Sequence, residues 1–345
     1  MRLLVTGGAG FIGSAFVRHV IATRSGLDVV TLDTLTYAGN LDNLEPVRDS
    51  PRHQFVRGDI CDRALVAPLL ADGRFDAVVH FAAESHVDRS ILSPDAAIDT
   101  NVRGTATLLA AAHAARIGRF LHVSTDEVYG DLEPPLEANE TFPLKPSSPY
   151  AASKAAADLL ALAYVRTYRL PVIVTRASNN YGPYQFPEKL IPLMIANAMS
   201  GEPLPVYGDG LQVRDWLFVE DHCRAILAVL ERGRDGEVYN VGGNCALTNL
   251  EVIRRVLAVV GADEALMKTV ADRPGHDRRY ALDSTKLARE VGFVPETPFE
   301  TGLAQTVQWY RDHTAWIQRV RSGDYRDYYE RNYGWRGTAV AAASL

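Results

Sequence analysis

Six short apolar runs punctuate the first half of the chain: "LLVT" (3–6), "VVTL" (29–32), "HQFV" (53–56), "AVVHFAA" (77–83), "RFLHVS" (119–124) and "PVIVTR" (171–176). Most are continuous rather than alternating, the pattern of strands covered on both faces. Helical patterns lie between them, at about 11–23, 62–71, 95–116 and 149–169. Strand–helix–strand repetition of this kind predicts an α/β fold, a Rossmann-type doubly wound parallel sheet. After residue 176 Gly, Pro and Tyr thicken, as in "NNYGPYQFPEKLIPLM", and helices are expected near 248–260 and 299–314. The reading is therefore a Rossmann domain at 1–176, a smaller C-terminal substrate-binding lobe at 177–330, and a tail at 331–345.

Composition narrows the function classes. The 345 residues are 47% hydrophobic and 23% charged with a formal net charge of −6, which suits a soluble globular protein and gives no basic surface for nucleic acid. The opening apolar run breaks at Gly7, too early for a signal peptide, and no run is long enough to cross a membrane. Cys61, Cys223 and Cys245 are odd in number and far apart, so neither a metal site nor a disulfide framework is expected. Three reduced thiols point to the cytoplasm. The stretches 95–116 and 149–169 are rich in Ala and Leu on all sides. A helix with one face on a sheet and a second apolar face suits a homodimer interface.

"VTGGAGFIGS" follows the first strand and opens the first helix. Gly8, Gly10 and Gly13 have the spacing of a dinucleotide fingerprint, and Gly7 adds a further bend. Glycines let the backbone turn tightly and approach a pyrophosphate, which meets free N–H groups at the helix N-terminus. Asp33 stands twenty residues past Gly13, at the end of the second strand. A carboxylate there accepts from a ribose 2′-hydroxyl and repels a 2′-phosphate, so NAD is expected rather than NADP.

Tyr150 and Lys154 lie four apart in a helical stretch, hence on one face. A neighbouring ammonium favours the phenolate, which takes a proton from a hydroxyl while the adjacent hydride leaves. "STDEVYG" (124–130) adds two adjacent acids, Asp126 and Glu127. Ser124-x-x-Glu127 is also a capping-box pattern, so a helix cap is the competing reading. Both acids serve one site only if the strand has ended and the chain turns at Thr125, because neighbours on a strand face opposite ways.

Together with that fingerprint, "LTYAGN" (35–40), "HFAAESHVDRS" (80–90), "STDEVYGD", "SPYAASK", "SNNYGPYQFPEKLIP" (178–192), "RDWLFVEDH" (214–222), "YNVGG" (239–243) and "RPGHDRRY" (273–280) resemble the dTDP-glucose 4,6-dehydratases, extended short-chain dehydrogenase/reductases. The resemblance covers about residues 1–312. It implies a hydro-lyase that oxidises carbon 4 of dTDP-glucose, eliminates water across carbons 5 and 6, and returns the hydride to carbon 6, as a step of deoxysugar biosynthesis. In that chemistry Glu127 is the base at carbon 5, Asp126 the acid at carbon 6, and Thr125 a partner of Tyr150 at the carbon 4 hydroxyl. The resemblance also implies that Phe11, Ile12, Asp33, Asp59, Ile60, Ala82, Ala83, Thr100 and Asn180 line the NAD site with Tyr150 and Lys154. It gives the sugar nucleotide to Ser85, Thr125, Asn179, Lys189, Leu190, Pro205, Tyr207, Arg214, Asn249, Arg273 and His276. Lys189, Arg214 and Arg273 are cations suited to a diphosphate, and Tyr207 suits a base. The rivals are a UDP-sugar 4-epimerase, a UDP-glucuronate decarboxylase or a UDP-glucose 4,6-dehydratase, and, in a different class, a non-catalytic NAD-binding module. An epimerase or decarboxylase needs no acid at Asp126, and a binder needs none of the four reactive groups.

Overall fold

The computed structural model describes residues 1–321; the expected tail at 331–345 lies outside them. Seven strands form one parallel sheet: β1 (Arg2–Thr6), β2 (Asp28–Asp33), β3 (His53–Arg57), β4 (Ala77–His80), β5 (Arg119–Thr125) and β6 (Val172–Ala177), with a seventh from the second half of the chain. Short strands β7 (Asn179–Tyr181), β8 (Leu204–Tyr207) and β9 (Val213–Phe218) precede that seventh strand, β10 (Val238–Val241). The order is β3-β2-β1-β4-β5-β6-β10. It reverses between β1 and β4, where a doubly wound sheet opens a crevice at its strand C-termini. Two small sheets, β11 (Ala246–Thr248) with β9 and β7, and β12 (Met267–Val270) with β8, build the lobe.

The continuous apolar runs arise because each strand feeds two cores. Leu3, Val5, Val29, Val79 and Leu121 face one way and pack with α1 (Phe11–Thr23). Leu4, Val30, Val78 and Phe120 alternate with them and pack against helices on the opposite face. Those helices are α2 (Arg63–Asp72), α5 (Thr105–Ala114) and α6 (Pro149–Tyr168), while the short α3 (Val87–Leu92) and α4 (Pro94–Ala97) that lead into α5 pack against α6. The single helix expected at 95–116 is interrupted by a π-helical turn at Ile98–Gly104. The extra residue in such a turn re-aims side chains and is common at functional sites. Here Asn101 Nδ2 donates to Glu84 O at 3.0 Å and to Ser153 Oγ at 2.8 Å, tying the turn to α6 and to the chain leaving β4.

Three sequence expectations change. The strand read as 77–83 ends at His80, and Phe81, Ala82 and Ala83 leave the sheet. The seventh strand was not foreseen. The second half holds more helix than its Gly and Pro content suggested: α7 (Leu190–Ser200), α8 (Val219–Arg232), α9 (Asn249–Val260), α10 (Thr285–Val291), α11 (Phe299–Asp312) and α12 (Thr314–Val320). Helix α8 joins α1 on one face of the main sheet, and α7, α9 and α11 enclose the lobe's own core.

Candidate active site

The Gly-rich loop is shaped by close approaches. Gly7 has φ +71°, and a Cβ there would stand 2.5 Å from the backbone nitrogen of Ala82. A Cβ on Gly13 would collide with the Gly7 carbonyl. Gly10 caps α1, whose first N–H groups open into the crevice. Gly8 does something else: it packs against Thr31 of β2, where a Cβ would meet Cγ2 at 2.6 Å, and is not on the cavity wall. Asp33 accepts from Ala9 N at 3.0 Å and from Leu35 N at 2.8 Å, so it braces the loop as well as facing the crevice. Burial raises its carboxyl above the usual range, against those two hydrogen bonds.

A cavity of about 390 Å³ runs from this loop across the strand ends. Gly7, Gly10, Phe11, Ile12, Gly13, Asp33, Asp59, Ile60, Ala82, Ala83, Thr100 and Asn180 line it, as do Thr125, Asp126, Glu127, Tyr150 and Lys154. The glycine cradle, the helix N-terminus and the acid at the second strand's end together fit a dinucleotide with a free ribose 2′-hydroxyl.

Local structure explains how two adjacent acids share one cavity. Strand β5 stops at Thr125, and Asp126–Tyr129 form a 3₁₀ turn capped by Thr125, not by Ser124. Thr125 Oγ1 accepts from Glu127 N at 3.2 Å and donates to Asp126 Oδ1 at 3.2 Å. Gly130 closes the turn at φ +75°. Asp126 is buried, and burial followed by the neighbouring Glu127 pushes its carboxyl up to about 8, with Arg214 opposing. It therefore carries a proton at neutral pH, and its Oδ2 has no partner among the described residues. A buried, protonated carboxyl beside a second acid is a proton donor next to a potential base.

Helix α6 begins where Ser148 accepts from Ala151 N at 3.1 Å, with Pro149 at its first position. Tyr150 and Lys154 then face the cavity together. Lys154 Nζ donates to Val123 O at 2.7 Å. Burial pushes Lys154 down to about 8, and the charge of Asp158, one turn further along α6, opposes that. Asp158 is itself buried between Arg176 Nε at 2.8 Å and His122 Nε2 at 3.4 Å. Burial, then Glu127, raises the Tyr150 phenol, while a hydrogen bond with Thr125 lowers it. A cation added beside the phenol acts in the same direction as Thr125.

Ser85, Asn179, Lys189 and Leu190 lie on the cavity wall, and Lys189 Nζ donates to Ser85 O at 2.6 Å. The other six expected substrate residues, Pro205, Tyr207, Arg214, Asn249, Arg273 and His276, lie off that wall in the adjoining lobe. Asp88 of α3 gathers two of them, accepting from Tyr207 OH at 2.9 Å and Arg273 Nη1 at 3.3 Å. Arg214 donates to Asp277 O at 2.9 Å and stands over the Tyr280 ring. Asn249 Nδ2 reaches Gln212 Oε1 at 3.4 Å, and Pro205 sits in β8 opposite Lys268. His276 is pushed down to about 4, by burial and then by Arg273 and Arg214, which marks a positive potential suited to an anion. Asp88, within the motif "HFAAESHVDRS", was not among the expected residues. Among the described residues no group of His, Cys, Asp or Glu has the arrangement of a metal site, and no helix is long and apolar enough to cross a membrane.

A family profile described as GDP-mannose 4,6 dehydratase matches residues 4–306. The chain is 55% identical to the dTDP-glucose 4,6-dehydratase of Streptomyces niveus, over 94% of this chain and 97% of that one. It is 51% identical to the enzyme of that name from Shigella flexneri, over 97% and 100%. Its fold superposes with a TM-score of 0.90 on DesIV, a dTDP-glucose 4,6-dehydratase from Streptomyces venezuelae solved with NAD bound, at 54% identity over 93% of this chain and 100% of that one. A UDP-glucose 4-epimerase from Thermotoga maritima superposes at 0.85 with 31% identity, over 91% and 100%. The chain belongs to the dTDP-glucose 4,6-dehydratase family of extended short-chain dehydrogenase/reductases.

Proposed function

We propose that the chain is an NAD-dependent hydro-lyase that converts dTDP-glucose to dTDP-4-keto-6-deoxyglucose and water. The observation that carries this reading is the buried, protonated Asp126 beside Glu127, on the same cavity as Tyr150 and Lys154. NAD bound along the Gly-rich loop accepts the carbon 4 hydride and later returns it to carbon 6. Tyr150, assisted by Thr125 and the charge of Lys154, takes the proton from the carbon 4 hydroxyl. The resulting ketone acidifies carbon 5, whose proton passes to the Glu127 carboxylate and is given back to carbon 5 as the hydride returns to carbon 6. Asp126 gives its proton to the hydroxyl departing from carbon 6, so that water leaves as a neutral molecule. The cations Lys189, Arg214 and Arg273 balance the diphosphate, and Tyr207 packs on the base.

The purified protein is to be given dTDP-glucose and UDP-glucose separately. A product whose NMR spectrum shows a 6-methyl doublet with dTDP-glucose supports the reading. A product that keeps its 6-hydroxymethyl group and inverts carbon 4 refutes it in favour of an epimerase, and turnover of UDP-glucose alone refutes the nucleotide assignment.

Cytoplasmic placement is supported by three free cysteines. A homodimer through 95–116 and 149–169 is supported by apolar side chains left exposed there, Ile98 and Leu159 at 51% and 59%.

A further inference from the structure

His222 stands at the start of α8, fully buried, and reaches the cavity wall beside Asn180. Its Nδ1 lies 2.8 Å from Asn180 Oδ1. Asn180 Nδ2 donates to Ser178 O at 2.9 Å, which fixes the two ends of that amide. The atom facing His222 is then an oxygen, so Nδ1 must carry the ring proton. Burial pushes the ring down to about 3, and it stays neutral at working pH. Nε2 is left as a bare acceptor with no partner among the described residues. The backbone of Asn180 is held as well, its carbonyl accepting from Gln185 Nε2 at 2.9 Å.

These contacts constrain what Asn180 offers a ligand. Its carbonyl oxygen is turned inward and occupied, and one Nδ2 hydrogen goes to Ser178. The second Nδ2 hydrogen is the polar group the side chain has left for the cavity. Without the Nδ1–H of His222 only the Ser178 carbonyl is left to oppose the flipped form, which presents an acceptor in place of a donor.

We infer that His222 is a positioning residue for the cofactor: its Nδ1–H locks the Asn180 amide so that Asn180 presents an N–H donor to the NAD at the nicotinamide end of the cavity. This rests on the proposed NAD site that includes Asn180. The end is identified by chain geometry. Asn180 follows β6 by three residues, and the last residue of β6, Ala177, pairs with Thr125 beside the proposed reacting groups. The glycine loop holds the pyrophosphate further along the sheet.

The test measures NAD dissociation constants by fluorescence on the stripped full-length protein, alongside thermal melting. His222→Phe should weaken NAD about tenfold, the usual scale for one lost buried hydrogen bond. His222→Asn places an N–H where Nδ1 stands and should bind within about threefold of the parent. His222→Gln places it near Nε2 and should remain weak at an equal melting temperature. In an Asn180→Ala background, His222→Phe should add no further loss, because the effect passes through Asn180. Equal affinities for the Asn and Gln variants, or additive losses in the double variant, overturn the inference. The Asn–Gln comparison decides the matter even where His222→Phe does not fold. A parent protein that binds no NAD overturns the cofactor reading itself, whatever the variants do.

Discussion

Replacing Asp126 with Asn should separate the two halves of the proposed reaction. Asn keeps the size of the side chain and its place in the 3₁₀ turn but has no proton to give. With its carboxyl raised to about 8, Asp126 is protonated over ionised by about ten to one at pH 7. At an ordinary carboxyl value of 3.8 the protonated share would be about one in 10³. Burial and Glu127 thus multiply the supply of acid at neutral pH by roughly 10³. Loss of a positioned general acid costs about 10²–10⁴-fold in rate, so kcat for the 6-deoxy product should fall by that much. Oxidation at carbon 4 does not use this proton. Stopped-flow absorbance should therefore show NADH forming at the parent rate and then persisting, where in the parent it is transient. In the parent, elimination should be level from neutrality to just below pH 8 and fall about tenfold per unit above it, since the raised acid is lost as pH rises through its own pKa. Lys154, pushed down to about 8, loses its charge over the same range. Its loss acts on the oxidation step, so the two groups are told apart by step rather than by pH. An Asp126→Asn protein that forms no NADH, or that turns over within threefold of the parent, would refute the role given to Asp126.

Three further outcomes are expected. Asp158→Asn leaves the Arg176 guanidinium buried without its 2.8 Å partner; it should cost about 3–5 kcal/mol in urea unfolding and move the alkaline limb of carbon 4 oxidation to lower pH, since Asp158 is what raises Lys154. Asp33→Asn removes the charge that repels a 2′-phosphate, so the preference for NAD over NADP should narrow by about tenfold or more; an unchanged ratio in competitive binding argues against Asp33 at the ribose. Leu159→Arg places a charge on the exposed apolar face of α6 and should turn a dimer into a monomer by light scattering, while a parent that is already monomeric at micromolar concentration refutes the interface.

The first six strands were legible because a strand covered on both faces writes itself as an unbroken apolar run. The same rule explains the overreach at 81–83: Phe81, Ala82 and Ala83 are apolar because they line the cavity, not because they pair. Helix α8 carries a strong period of apolar residues in "VEDHCRAILAVLER", so its own sequence marks it as a helix. Helix α7 holds Pro192 in its first turn, where proline is tolerated. The π-helical turn has no sequence signature in an Ala-rich stretch. At the site, the fingerprint and the Tyr150–Lys154 spacing are local and could be read directly. Asp88 meets Arg273 across 185 residues of chain, and no local pattern reports such a contact. Nor does the pattern "STDEVYG" say which acid holds the proton; that depends on burial, which the fold supplies and which with Glu127 outweighs the opposing charge of Arg214.

The pairing of β10 with β6 has a consequence for how the molecule comes apart. Val241 and Tyr239 of β10, Ile226 and Leu230 of α8 and Leu287 of α10 belong to the same apolar cluster as Leu3 and Val5 of β1. A chain cut at residue 176 would lose a large share of the cover on one sheet face and leave β6 as a bare edge. Neither piece could keep its interior dry alone. The nucleotide-binding half and the sheet-covering part of the second half should therefore melt in one cooperative transition, and a protease that nicks between them should yield no long-lived amino-terminal fragment.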